Sequence, residues 1–295
     1  MRPLGLEALR GARPTLGEHR FRLTMGPLSI ELEGCDRALV DELTERFERY
    51  RDESRGGDPV RLRLMQSERD YFIPRPDGTS DQQVYLRTED DRVHYLGYQI
   101  AGWFSIGLRR GSALVSSGDY EPRGRALENL IRSAVAWEAA EMGGGLVHAA
   151  SAVHRGKAYL FYGESGAGKS TLSASNRRAE VVSDDLSLVL PIDGRLHLVG
   201  SPFRGTYEEG RPVIGAFPLA AGFRLIQAPE AKVTEVPRMI AFSGLVANLP
   251  FVAESFSARS DLFSSVQRGF AEIPLAHLEF RKDDSYWDAI EAAGL

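Results

Sequence analysis

A chain of 295 residues has room for two modest domains, and its 43% hydrophobic and 26% charged content is that of an ordinary folded protein, not a disordered or fibrous one. The net charge of −5 offers no clustered positive surface for a phosphate backbone, so no nucleic-acid partner is expected. The lone Cys35 excludes a disulfide framework or a cysteine-based metal site within one chain. No apolar run approaches the length of a membrane span, and Met1–Glu7 does not resemble a leader, so the expected setting is the cytoplasm, away from the membrane.

Strand-like alternation predicts strands within Arg20–Leu32 and Val60–Met65, and the spacing of Leu39, Leu43 and Phe47 predicts a helix over Arg37–Arg51 between them. Short strands follow at Gln83–Thr88, Arg92–Leu96, Trp103–Leu108 and Ser112–Ser116, read as an antiparallel meander, with Pro74–Gln82 a polar loop. A helix is expected over Gly124–Met142, ended by Gly143-Gly144-Gly145. Strands Leu146–Val153 and Ala158–Tyr162 then flank a turn at His154–Lys157, where His154 is expected to be solvated. A helix begins at Ser170, strand Glu180–Ser183 follows, and Leu186–Leu190 with Arg195–Val199 form a hairpin around Asp193-Gly194. The last third predicts strand Gly222–Gln227, helices near Pro237–Leu249 and Asp261–Ala271, strand Leu275–Phe280 and a helix over Tyr286–Ala293.

Between the strand Ala158–Tyr162 and the helix after it lies Gly163-Glu164-Ser165-Gly166-Ala167-Gly168-Lys169-Ser170-Thr171, which fits G-x-x-x-x-G-K-[ST]. Glycines let successive N–H groups turn inward at phosphate oxygens, and the helix N-terminus adds partial positive charge. Gly163, Ser165, Gly166, Ala167, Gly168 and Thr171 are therefore read as the cradle, Lys169 as the group reaching the outer phosphates, and Ser170 as a ligand of Mg²⁺; ATP with Mg²⁺ is the expected cofactor pair, while GTP and pyrophosphate stay open as donors. Only four lysines occur in the chain (Lys157, Lys169, Lys232 and Lys282), and one of them occupies the motif position.

The run Leu146-Val147-His148-Ala149-Ala150, the glycine loop and Val182-Ser183-Asp184-Asp185 together resemble the HPr kinase/phosphorylase-like family, with further likeness at Gly200–Gly205 and Phe217–Ala221. The resemblance extends over about Leu127–Leu295 and also takes in the HPr-kinase-related proteins that act as lasso-peptide tail kinases. It implies an α/β fold, with an HPr kinase/phosphoenolpyruvate carboxykinase-like P-loop domain at 121–295; the strand pattern, outside the resemblance, places before it a smaller β-rich domain at 1–120, read as a site for substrate or partner binding. It implies that one of Asp184 and Asp185 is the general base on an attacking hydroxyl. Position directly after the strand favours Asp184, which leaves Asp185 with Ser170 for the metal. His148 is expected to hydrogen-bond the acid pair or a phosphate, and Arg204, an arginine fork suited to a phosphate, is expected on the transferring group. Lys232 and Glu164 read as surface charges, and Tyr95, Tyr98, Trp103 and Phe104 as strand core.

These residues suit phosphoryl transfer, which is mostly positioning and charge neutralisation. The expected activity is transfer of the ATP γ-phosphoryl group to a serine hydroxyl of a protein or ribosomal peptide; the oligomeric state stays open, with a homo-oligomer among the options. The alternatives are a nucleotide-sensing partner protein without catalysis and a small-molecule kinase.

Overall fold

The computed structural model describes residues 14–51, 56–74, 84–203 and 213–295. The chain forms a mixed α/β fold in two units, the first running to Val135 and the second from Ala136 to Leu295, with the turn Met25–Pro27 counted in the second. Arg204, Gln83 and the loop expected after Pro74 lie outside the described residues.

The first unit is a seven-stranded sheet. Its strands are β1 (His19–Met25), β2 (Leu28–Cys35), β3 (Val60–Gln66), β4 (Tyr85–Glu89), β5 (Arg92–Leu96), β6 (Ile100–Ser105) and β7 (Arg110–Val115), in the order β1-β2-β3-β7-β6-β5-β4. The antiparallel meander expected from the sequence holds for β4 to β7. β3, outside that meander, pairs in parallel with both β2 and β7. The reason is the helix α1 (Arg37–Phe47), which carries the chain over from β2 so that β3 runs in the same direction. Asp36 caps α1, accepting from the Leu39 amide at 2.8 Å, and Leu39, Val40, Leu43 and Phe47 bury one face. α1 stops before Arg51 because Glu48–Tyr50 tighten into a 3₁₀ turn.

Helix α2 (Arg123–Glu141) follows, and the division between the units falls within it. It ends where the glycines were expected to end it: Gly143 takes φ +87°, its amide donates to Ala140 at 3.0 Å, and that of Gly144 donates to Ala139 at 2.7 Å. This is the Schellman arrangement, open to residues that tolerate a left-handed backbone.

The second unit holds eight strands. They are β8 (Gly145–His154), β9 (Lys157–Tyr162), β10 (Glu180–Ser183), β11 (Leu186–Ile192), β12 (Arg195–Val199), β13 (Ala216–Gln227), β14 (Lys232–Thr234) and β15 (Leu275–Phe280). Pairings β8–β11, β11–β12, β12–β13, β13–β9 and β9–β8 close into a ring, and β15 and β14 extend it beyond β13. The β11–β12 hairpin turns on Asp193 and Gly194, with φ of +49° and +76°. β13 begins six residues before the expected Gly222, because its first residues pair with β12 and only the rest lies between β9 and β15. Helices α3 (Lys169–Ser175), α4 (Arg238–Val246), α5 (Ser260–Gly269) and α6 (Tyr286–Ala292) complete the unit.

One apolar cluster positions the glycine loop. Phe161 of β9 and Phe223 of β13 stack at 5.9 Å, and Trp287 of α6 stands edge-on to Phe161 at 5.9 Å. Leu172 of α3 belongs to the same cluster, and Ala167 packs against it. Helix and loop are thus seated on a buried aromatic floor.

Candidate functional site

β9 runs straight into the loop. Three of its glycines take backbone conformations that L side chains rarely adopt: Gly163 at φ +155°, Gly166 at +82° and Gly168 at +107°. At Gly168 a Cβ would also stand 2.6 Å from Cζ of Phe280. The Ala167 amide closes the loop onto Glu164 O at 3.0 Å, and Leu172 N to Gly168 O at 2.8 Å is a first-turn helical bond. The amides of Lys169, Ser170 and Thr171 stand ahead of it, where a helix leaves its N–H groups for another acceptor.

Lys169 is only 8% exposed, and its Nζ donates to Gly163 O at 2.9 Å and Glu164 O at 3.4 Å. Burial pushes its pKa down, and the charge of Asp185 pulls it back up. Asp185 Oδ1 in turn lies 3.3 Å from His148 Nε2, both side chains about two-fifths exposed. β8 accounts for this meeting: its register sets His148 opposite Leu186, so Asp185 falls beside it at the bend between β10 and β11. The neighbouring Asp184 is 6% exposed. The two adjacent carboxylates therefore sit in unlike settings, Asp184 in the interior and Asp185 with Lys169 and His148. Ser165 and Ser170 are exposed and Thr171 is half-buried.

Two expected site residues, Asp185 and His148, thus pair, and the charge of Asp185 acts on a third, Lys169. Arg204 lies outside the described residues; the chain leading to it passes through Phe203, which is fully buried. Among the described residues no three His, Cys, Asp or Glu side chains are grouped to hold a metal ion by themselves. Ser170 with one aspartate would offer a small part of a magnesium shell, which is the usual protein share where phosphate oxygens and water supply the rest.

Two residues to which the sequence reading gave no role at the site support the loop. Arg224 Nη2 reaches Glu164 Oε1 at 3.2 Å, and Gln227 Nε2 donates to Gly166 O at 2.8 Å. Both sit on β13, whose parallel pairing sets Arg224 opposite Tyr162, the last residue before the loop. The signal was the strand pattern continuing past Gly222, but nothing local says which strand β13 will lie beside.

His154 corrects the expectation of a solvated turn residue. β8 extends to it, it is 7% exposed, and it stacks on Trp287 at 4.5 Å. Its ring nitrogens face Arg178 O at 3.0 Å and Glu291 Oε1 at 3.1 Å. Lys232 is exposed on β14, opposite Glu279. Glu164 is 87% exposed, in keeping with the expectation for it. Of the aromatic group in the first unit, Tyr95 and Phe104 are buried, Arg92 covers Trp103 at 4.4 Å, and Tyr98 stacks on Tyr71. No protein-family model matches the chain, and no curated protein matches it.

Proposed function

We propose that this chain is a kinase that transfers the terminal phosphoryl group of ATP to a serine hydroxyl of a protein or peptide. The convergence of Lys169, Asp185 and His148 on a loop with three left-handed glycines carries this reading. In the reaction the bond between the γ-phosphorus and the bridging oxygen breaks as the serine oxygen bonds to phosphorus, ADP leaves, and the hydroxyl proton needs an acceptor. The P-loop amides and Lys169 hold the phosphates, and Lys169 gives up Gly163 O and Glu164 O to reach them. Asp185, half-open and paired with His148, takes the proton, a role that position along the chain had favoured for Asp184. Mg²⁺, when bound at Ser170 and one of the aspartates, neutralises charge on the phosphates. The resemblance of these segments to HPr kinase-like proteins supports the same reading and adds Arg204 as a cation for the transferring group.

The test is ³²P transfer from γ-labelled ATP and Mg²⁺ into a cell extract of the source organism, by the unaltered chain and by Lys169→Ala. A labelled protein or peptide band that disappears with Lys169→Ala is the expected result. Label confined to small molecules would move the acceptor class to metabolites. ATP binding with no transfer anywhere would overturn the kinase in favour of a nucleotide sensor.

A further inference from the structure

The first unit contains a cavity of about 990 Å³ that the phosphoryl-transfer reading does not use. Its walls come from the ends of β3 and β7 and from the segment leading into α2. Glu42, Glu68, Asp119 and Glu121 line it, against a single lining cation, Arg123. Arg123 is already engaged, with both terminal nitrogens on the Asp36 carboxylate at 2.7 and 3.1 Å. Glu68 and Asp119 are exposed and have no ion-pair partner among the described residues. Glu121 pairs with Arg125 at 3.5 Å, so Glu42, Glu68 and Asp119 are what give the cavity its negative charge.

Its wall is built. Gln99, 2% exposed, donates to Gly118 O and Glu121 O at 3.2 Å each and accepts from the Glu121 amide at 3.0 Å. Gly118 packs so closely that a Cβ would meet Asp70 O at 2.3 Å. Asp119 and Tyr120 are thus presented from a segment fixed on both sides, so little ordering cost is left for binding. Tyr120, 40% exposed, meets Tyr98 edge-on at 4.8 Å, and Tyr98 stacks on the half-exposed Tyr71 at 5.6 Å. Ser116 also lines the cavity, but its Oγ is itself buried and has no hydrogen-bond partner among the described residues.

Exposed carboxylates beside the exposed ring of Tyr120 match a planar organic cation. A guanidinium stacks on tyrosine and donates several N–H groups to carboxylate and hydroxyl oxygens. A metal ion fits less well, since no three acidic or histidine side chains are grouped as ligands among the described residues. We propose that this cavity binds an arginine side chain of a polypeptide segment. The binding needs no nucleotide and stands apart from the kinase reading.

Fluorescence anisotropy of the full chain tests this with a labelled Gly/Ser peptide carrying several arginines, the same peptide with citrulline at those positions, and spermidine as competitor. Expected is binding of the arginine peptide, about tenfold weaker with citrulline and about tenfold weaker in Glu68→Gln/Asp119→Asn. Both substituted side chains are exposed, so folding is preserved. Tyr120→Ala is expected to weaken binding several-fold, and Lys169→Ala to leave it unchanged. Absence of binding, equal affinity for the citrulline peptide, unaltered affinity in the double variant, or spermidine matching the peptide would each overturn the proposal.

Discussion

Gly166 and Gly168 separate two reasons for a glycine. Both carry positive φ, but a Cβ at Gly166 meets nothing within 4 Å, whereas at Gly168 it meets the Phe280 ring. Gly166→Ala is expected to cost only backbone strain, about 1–2 kcal/mol. Gly168→Ala adds a steric clash with a buried ring, so urea unfolding is expected to show the larger loss; equal losses would mean that Phe280 moves aside freely. The sequence named both glycines through the motif, but Phe280 lies more than a hundred residues further on, and only packing sets it beneath the loop. Lys169 was legible for the same reason as the glycines. Arg224 and Gln227 were not, because their relation to the loop exists only through strand pairing.

Helix α6 shows how an element acquires its place. Trp287 and Tyr286 bury against β9, Trp287 Nε1 donates to Asn176 Oδ1 at 3.2 Å, and Glu291 gathers His154, Arg155 and Arg178. Glu291 is held below its ordinary 4.5, first by the hydrogen bond from His154, against the opposing effect of burial, with the charges of Arg155 and Arg178 adding to the lowering. Its contribution to stability is therefore complete above that value and is lost as pH falls through the lowered one. Comparing the unaltered chain with Glu291→Gln in urea, the difference in unfolding free energy is expected to shrink on acidification below about pH 4; a constant difference would separate Glu291 from this cluster. The helix itself was legible within a residue, since Trp287 and Ile290 lie on one turn. Its hold on His154 was not, because a histidine before a tight turn reads locally as solvated. β14 escaped notice because three residues carry too little pattern, and the first half of β13 because Pro218 and its alanines depress strand propensity.

For the whole molecule, the kinase reading makes a thermodynamic claim independent of any acceptor. A nucleotide held by Lys169 and the loop amides stabilises the folded state, by about 2.7 kcal/mol at a hundredfold excess over its dissociation constant. For a unit of this size the melting temperature should rise by roughly 5–10 °C with Mg²⁺ and ATP, and not in Lys169→Ala. A shift shared by the variant would place the nucleotide elsewhere. No helix among the described residues is long and apolar enough to cross a membrane. The sequence by itself determined the α/β character, most element positions and the glycine loop with its lysine and aspartate pair, because periodicity, turn chemistry and a contiguous motif are local properties of the chain. Tertiary structure alone decided that β3 runs parallel to β7, that the strands of the second unit close into a ring, that Asp185 pairs with His148 with its charge acting on Lys169, and that an acidic cavity beside Tyr120 forms in the first unit. Each of these depends on residues far apart in the chain being paired across strands, and no local pattern of side chains encodes which strand will lie beside which.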